Sequence, residues 1–164
     1  RPLVIHRHPL PLEAKRKAAF LIEYGAALFW QTLLAWRIFL GRRFDVIHGC
    51  NPPDLIFLVA LPFKLLGVRF IFDHHDISPE LFEAKFARRG LLWRLLLVFE
   101  RLSFMAADVS IATNQSYRAI AIARGRMPPD RVHVVRSGPD TDRLQAVPAA
   151  PGWRNGRAHM VGYV

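Results

Sequence analysis

The feature that most constrains the fold of this chain is a series of short segments, each nearly continuous in apolar and often β-branched residues. Such strand signals stand at 45–48, 68–72, 109–112 and 132–135. A strand that reads as apolar on both of its faces is expected to be covered on both. Helical stretches alternate with these segments at 54–66, 79–86, 91–106 and 115–124. Pro53 and Pro79 sit where two of the helices begin, and Ser78 is placed to cap the helix that follows it. Alternating β and α units imply a parallel sheet with right-handed crossovers, so the expected class is α/β, a Rossmann-like sheet with helices on both faces. A further strand is expected at 2–7. A proline-free stretch at 13–40 predicts one long helix, with a possible break at Gly25.

Chemistry concentrates where two of these strands end. The apolar run after Arg69 breaks into Asp73, His74, His75 and Asp76, and a helix starts at once. The preceding strand ends on His48, with Asn51 opening the next turn. In open α/β sheets ligands bind beyond the carboxyl ends of the strands, so both imidazoles are delivered to the ligand edge. Histidine titrates near neutrality and can move a proton or donate to a bound hydroxyl. His75 is the expected reaction-centre contact, and Asp76 would orient it or cap the following helix. Asp73 through Asp76 could also suggest a metal site, but consecutive strand residues point to opposite faces and do not converge on one ion. Asp140 and Asp142 form an Asp-x-Asp pattern that reads better as turn capping than as a metal site.

With 164 residues, 52% of them apolar, the chain is large enough to bury a core and too apolar to be disordered throughout. Its formal charge of +10 favours anionic partners of some kind. The basic residues lie singly or in pairs such as Arg42-Arg43 and Arg88-Arg89, without a stacking platform or recognition helix, which argues against nucleic acid. Together with Trp30, Trp36 and Trp93 they fit an anionic membrane surface. The long early helix is interrupted by Glu23, Gln31 and Arg37, and so reads as buried or surface-lying rather than spanning. Cys50 is the only cysteine, which excludes an internal disulfide and a cysteine-rich zinc site, and it reads as a buried thiol. The stretch 145–157 is proline- and glycine-bearing and reads as a linker, and 158–164 as a strand cut short. With no methionine at Arg1, the chain is expected to be a piece of a longer protein.

The ordered set Phe44-Asp-Val-Ile-His48, the strand leading to His75-Asp76, Ala107-Asp-Val-Ser-Ile-Ala-Thr-Asn114 and Val134-Val-Arg-Ser-Gly-Pro-Asp140 resembles glycosyltransferase family 4 over nearly the whole chain. The resemblance implies the N-terminal half of a GT-B enzyme. Residues 1–144 would form a Rossmann-like acceptor-side domain, 145–157 the interdomain linker, and 158–164 the first strand of the donor domain. Such enzymes typically retain anomeric configuration, need no metal or other cofactor, and take a nucleotide-sugar donor as substrate. The acceptor would be lipid-linked or a saccharide, as in surface polysaccharide synthesis at the cytoplasmic face of the cell membrane.

By the same resemblance His75 would stand near the donor sugar and the attacking hydroxyl, while His48, Asn51, His74 and Asn114 would line the substrate side. The donor is expected to be held by the second domain, so the piece alone is expected to be inactive. Two alternatives remain open at this stage. Asp73-His74-His75 also resembles the motif of a metal-dependent phosphoesterase family, and a Rossmann-type domain can bind without catalysing.

Overall fold

The structure, a computed structural model, describes residues 3–8, 17–138, 142–143, 145, 152 and 155–159. The elements in chain order are α1 (Lys17–Gly41), β1 (Val46–Cys50), α2 (Phe57–Lys64), β2 (Arg69–His74), α3 (Ser78–Phe86), α4 (Leu91–Ala106), β3 (Val109–Ala112), α5 (Gln115–Ala123) and β4 (Val132–Val134). A 3₁₀ turn at Pro129–Arg131 leads into β4. The four strands form one parallel sheet in the order β1-β2-β3-β4, with Cys50 opposite Asp73 and His74 opposite Ala112. This is the expected α/β, Rossmann-like arrangement, except that the described helices gather on one face of the sheet rather than on both.

Strand order that advances steadily in one direction, with crossovers of one hand, carries the connecting helices to one face. Phe57 and Ala60 of α2, Phe104 of α4 and Ala121 of α5 pack there with Phe70, Phe72, Ala112 and Val132. The alternate residues of β1, Val46, His48 and Cys50, are exposed, and Ile71, Asp73, Val109 and Ile111 are half-buried. Cys50 is therefore an exposed thiol, not the buried one expected, because β1 is an edge strand and its second face is open. A second apolar cluster joins α1 to α2 at the other end of the strands. Phe39, Phe63 and Val68 are its buried members, and Trp36 and Phe44 meet Phe63 with ring centroids 4.7 and 5.3 Å away.

The strand expected at 2–7 is absent among residues 3–7, which are exposed coil. Residues 6–8 instead share a cleft with Trp30, Leu33, Leu34 and Arg37 of α1. Helix α1 runs unbroken through Gly25. Helix α2 starts later than expected because 54–56 form a turn first. No described helix is long and apolar enough to cross a membrane. Trp30, Trp36 and Trp93 are half-buried rather than exposed. The expected helical residues 13–16, Asp140, most of the linker, and 160–164 of the last strand lie outside the described residues.

Candidate functional site

Strands β1 and β2 end side by side, and Asn51 joins their exits. Its backbone N–H donates to the Asp73 carbonyl at 3.3 Å. Its side-chain Oδ1 accepts from the N–H of His75 at 2.9 Å and of Asp76 at 3.3 Å, while Nδ2 donates to the Asp76 carbonyl at 2.6 Å. Asn51 is only 4% exposed, and its amide is spent on backbone groups. It therefore positions the loop that carries His75 rather than lining a substrate surface, as the sequence had suggested. Both peptide bonds of Asn51-Pro52-Pro53 are cis. The starts of α2 and α3 are tied as well, since Ser78 Oγ donates to Asp54 Oδ1 at 2.6 Å.

Alternation along β2 then sorts the titratable side chains. Asp73 lies on the open face, where its Oδ2 meets His48 Nε2 at 3.0 Å and its Oδ1 lies 3.2 Å from His75 Nε2. The second contact is off the line of a hydrogen bond, so Oδ1 makes a charge contact there and the His48 bond is the firmer one. Both rings are about half exposed, at 50% and 47%, over a carboxylate that is 15% exposed. An ionised carboxylate only accepts, so it favours the proton on Nε2 of each ring. Nδ1 of a neutral ring is then left as an acceptor. Two histidines and one aspartate thus form a solvent-facing patch at the carboxyl edge of the sheet, with Asp76 half-buried beside them.

His74 falls on the other side. It is completely buried, among the rings of Phe72, Phe104 and Tyr117, whose centroids lie 5.7, 5.1 and 5.4 Å away. Burial holds its pKa down to about 4, with the nearby Arg124 guanidinium adding to the effect, while Glu80 and the Asp76 carbonyl oppose it. Its expected substrate contact is therefore corrected to a core role: neighbouring strand residues cannot share a face. The same separation removes the phosphoesterase alternative, because His74 is buried away from Asp73 and His75 and cannot join them on one ion. Asn114 is also reassigned. It caps α5, with Oδ1 accepting from Tyr117 N–H at 3.0 Å.

Sequence reading missed a charged cluster beneath the loop. Arg124, at the end of α5, donates from Nε to Glu100 Oε1 at 2.6 Å and from Nη2 to Oε2 at 2.7 Å. It also pairs with both oxygens of Glu80 on α3. Glu100 Oε2 in turn lies 3.7 Å from His74 Nε2. Burial pushes the Glu100 carboxyl up against the pull of Arg124. For the more open Glu80, burial also acts upward, but the hydrogen bonds and charge of Arg124 outweigh it and the pKa falls. The only sequence signal was an arginine just past a helix end, which is too common to single out.

Among the described residues no group of three or more His, Cys, Asp or Glu side chains is arranged to hold a metal ion. Two open clefts of about 340 and 330 Å³ lie elsewhere. One is lined by residues including Arg101, Met105, Arg126 and Arg131, and the other by 6–8 and α1. With both rings about half exposed, the histidine patch presents an open wall.

The model of Glycosyltransferase Family 4 matches residues 3–143, which takes in every described strand and the whole histidine patch. The chain belongs to glycosyltransferase family 4. No curated protein matches it. A family 4 domain supports glycosyl transfer as its general activity, and the parallel sheet with its ligand-side edge is the arrangement that resemblance implied.

Proposed function

We propose that this domain forms the acceptor-side wall of a retaining glycosyltransferase that needs no metal and moves a sugar from a nucleotide donor to a lipid-linked or saccharide acceptor. In that reaction the acceptor oxygen forms a bond to the anomeric carbon as the bond from that carbon to the diphosphate oxygen breaks. The hydroxyl proton leaves with the diphosphate. The donor is to be held by a second domain facing this one, so the work of this chain is to orient the acceptor and the sugar.

The observation that carries the reading is the shared carboxylate of Asp73 beneath the half-exposed rings of His48 and His75. Asp73 fixes the two rings without hiding them. His75 sits on a loop held from below by Asn51, so it can make a polar contact to the reacting sugar without reorganising. His48 would contact the acceptor side. Asp76 completes the rim, and its held backbone keeps His75 at the mouth of the loop.

The acceptor class implies work at the cytoplasmic face of a membrane, with peripheral contact to anionic lipid. The test is product formation by the protein at its full encoded length, with a panel of radiolabelled nucleotide sugars and a lipid extract as acceptor. Transfer that persists in EDTA, with the anomeric configuration of the donor kept in the product by NMR, supports the proposal. Inversion, or dependence on a divalent ion, contradicts it.

A further inference from the structure

Helix α4 carries an exposed apolar stripe. Leu91, Leu95, Val98, Leu102 and Met105 follow one another at steps of four, three, four and three, which keeps them on one face for about 21 Å. Each is between 37% and 75% exposed, while Glu100, Ser103 and Phe104, which face away from the stripe, are buried in the core. Scattered exposed apolar residues need no explanation, but a continuous stripe marks an interaction surface.

The charges around the stripe say what covers it. Arg94 and Arg101 are exposed, seven residues apart, and flank the stripe along the same side. The single acid of α4, Glu100, is buried and engaged by Arg124. Glu83 on α3 is taken by Arg89 at 2.9 Å. At the far end Met105 opens into the cleft that it shares with Arg101, Arg126 and Arg131, and no acidic residue lines that cleft. An apolar line bordered by Arg94, Arg101 and Arg126, with Arg131 shared with Asp108, suits a surface with an apolar interior and anionic heads. It suits a second copy poorly, since symmetric pairing would bring arginines against arginines.

We propose that α4 is the element by which this domain lies on an anionic bilayer, its apolar stripe entering the headgroup boundary and Arg94, Arg101, Arg126 and Arg131 meeting lipid phosphates. The inference rests on the peripheral membrane contact proposed above and assigns it to α4. On α1 the exposed Phe29 and Leu33 adjoin the cleft where residues 6–8 already lie. Because α4 runs back along the sheet from the β2–α3 side, docking would lay the sheet along the bilayer.

The test is cosedimentation of the full-length protein with phosphatidylcholine vesicles, with and without phosphatidylglycerol, across a salt series. The wild type is expected to bind the anionic vesicles and to release as salt rises. The double variant Leu95→Glu/Leu102→Glu is expected to bind at least about tenfold more weakly. Arg94→Gln and Arg101→Gln are each expected to cost about fivefold and to flatten the salt dependence. All three sets of changes fall on exposed positions, and circular dichroism checks that the fold is kept. Three results would overturn the inference. If wild type and α4 variants bind alike while Phe29→Glu releases, α1 is the docking element. A concentration-dependent dimer lost in the α4 variants assigns the stripe to self-association. Failure of the wild type to bind at all removes the membrane reading itself.

Discussion

Asn51 grips Asp76 at both ends of one peptide group pair: its Nδ2 donates to the Asp76 carbonyl at 2.6 Å, and its Oδ1 accepts from the Asp76 N–H at 3.3 Å. The two residues are 25 apart in sequence. Through this grip the end of β1 sets the position of the loop leaving β2, and with it the backbone of His75.

Removal of that grip leaves buried polar backbone groups without partners. Asn51→Ala is expected to lower stability by about 2–3 kcal/mol. The midpoint of urea unfolding at pH 7 measures it. A shift no larger than that of an exposed alanine substitution would show that the loop holds itself.

Arg124 neutralises two carboxylates from two helices. Arg124→Met leaves Glu100 buried and unpaired and is expected to cost about 3–5 kcal/mol. Addition of Glu100→Leu to the same chain is expected to recover a large part of the loss, because the uncompensated charge is then gone. Urea unfolding of the single and double variants decides, and additive losses would contradict the account.

His74 makes stability depend on pH. Its folded pKa of about 4 lies below the ordinary 6.5, so the unfolded chain binds a proton that the folded chain refuses. Stability from this group is present above pH 6.5 and is lost progressively as pH falls toward 4, by up to about 3 kcal/mol. Glu100, shifted up by burial, works in the opposite sense near the acid end of this window. His74→Phe, which keeps an aromatic ring among Phe72, Phe104 and Tyr117, is expected to flatten the fall between pH 6.5 and 4. An unchanged pH profile in this variant would rule His74 out as the cause.

Two glycines should respond with opposite signs. A Cβ on Gly125 would meet the Ala121 carbonyl oxygen and Phe104 Cδ2, both at 2.5 Å, so Gly125→Ala is expected to cost about 1–3 kcal/mol. Gly25 stands inside α1 with open space around it, so Gly25→Ala is expected to stabilise by about 0.5–1 kcal/mol. Thermal unfolding of the two variants is the check.

The strands and most helices were legible because their information is local. The span 109–112 and the helix 91–106 were read to the residue, the first carried by a continuous apolar run and the second by a proline-free stretch of helix formers. The strand expected at 2–7 shows where locality fails. Its apolar run Leu3-Val4-Ile5 is genuine, but nothing described pairs with it, and residues 6–8 rest beside α1 instead.

The site was half legible for the same reason. Strand ends gave His48 and His75, but faces come from register, and register puts Asp73 with them and His74 in the core. The roles of Asn51 and Arg124 depend on partners 24 and 44 residues away, which no spacing in the chain announces.

The central claim is that the patch built on Asp73 is the reacting side of this family 4 domain. The most direct measurement compares kcat for sugar transfer by full-length wild type, His75→Ala and His133→Ala. His133 is an exposed histidine on β4 and serves as the control. The expected result is a loss of about 100-fold or more in His75→Ala with an unchanged melting temperature, and near wild-type turnover in His133→Ala. Wild-type kcat in His75→Ala would contradict the account and leave the patch a surface feature of a domain that works elsewhere.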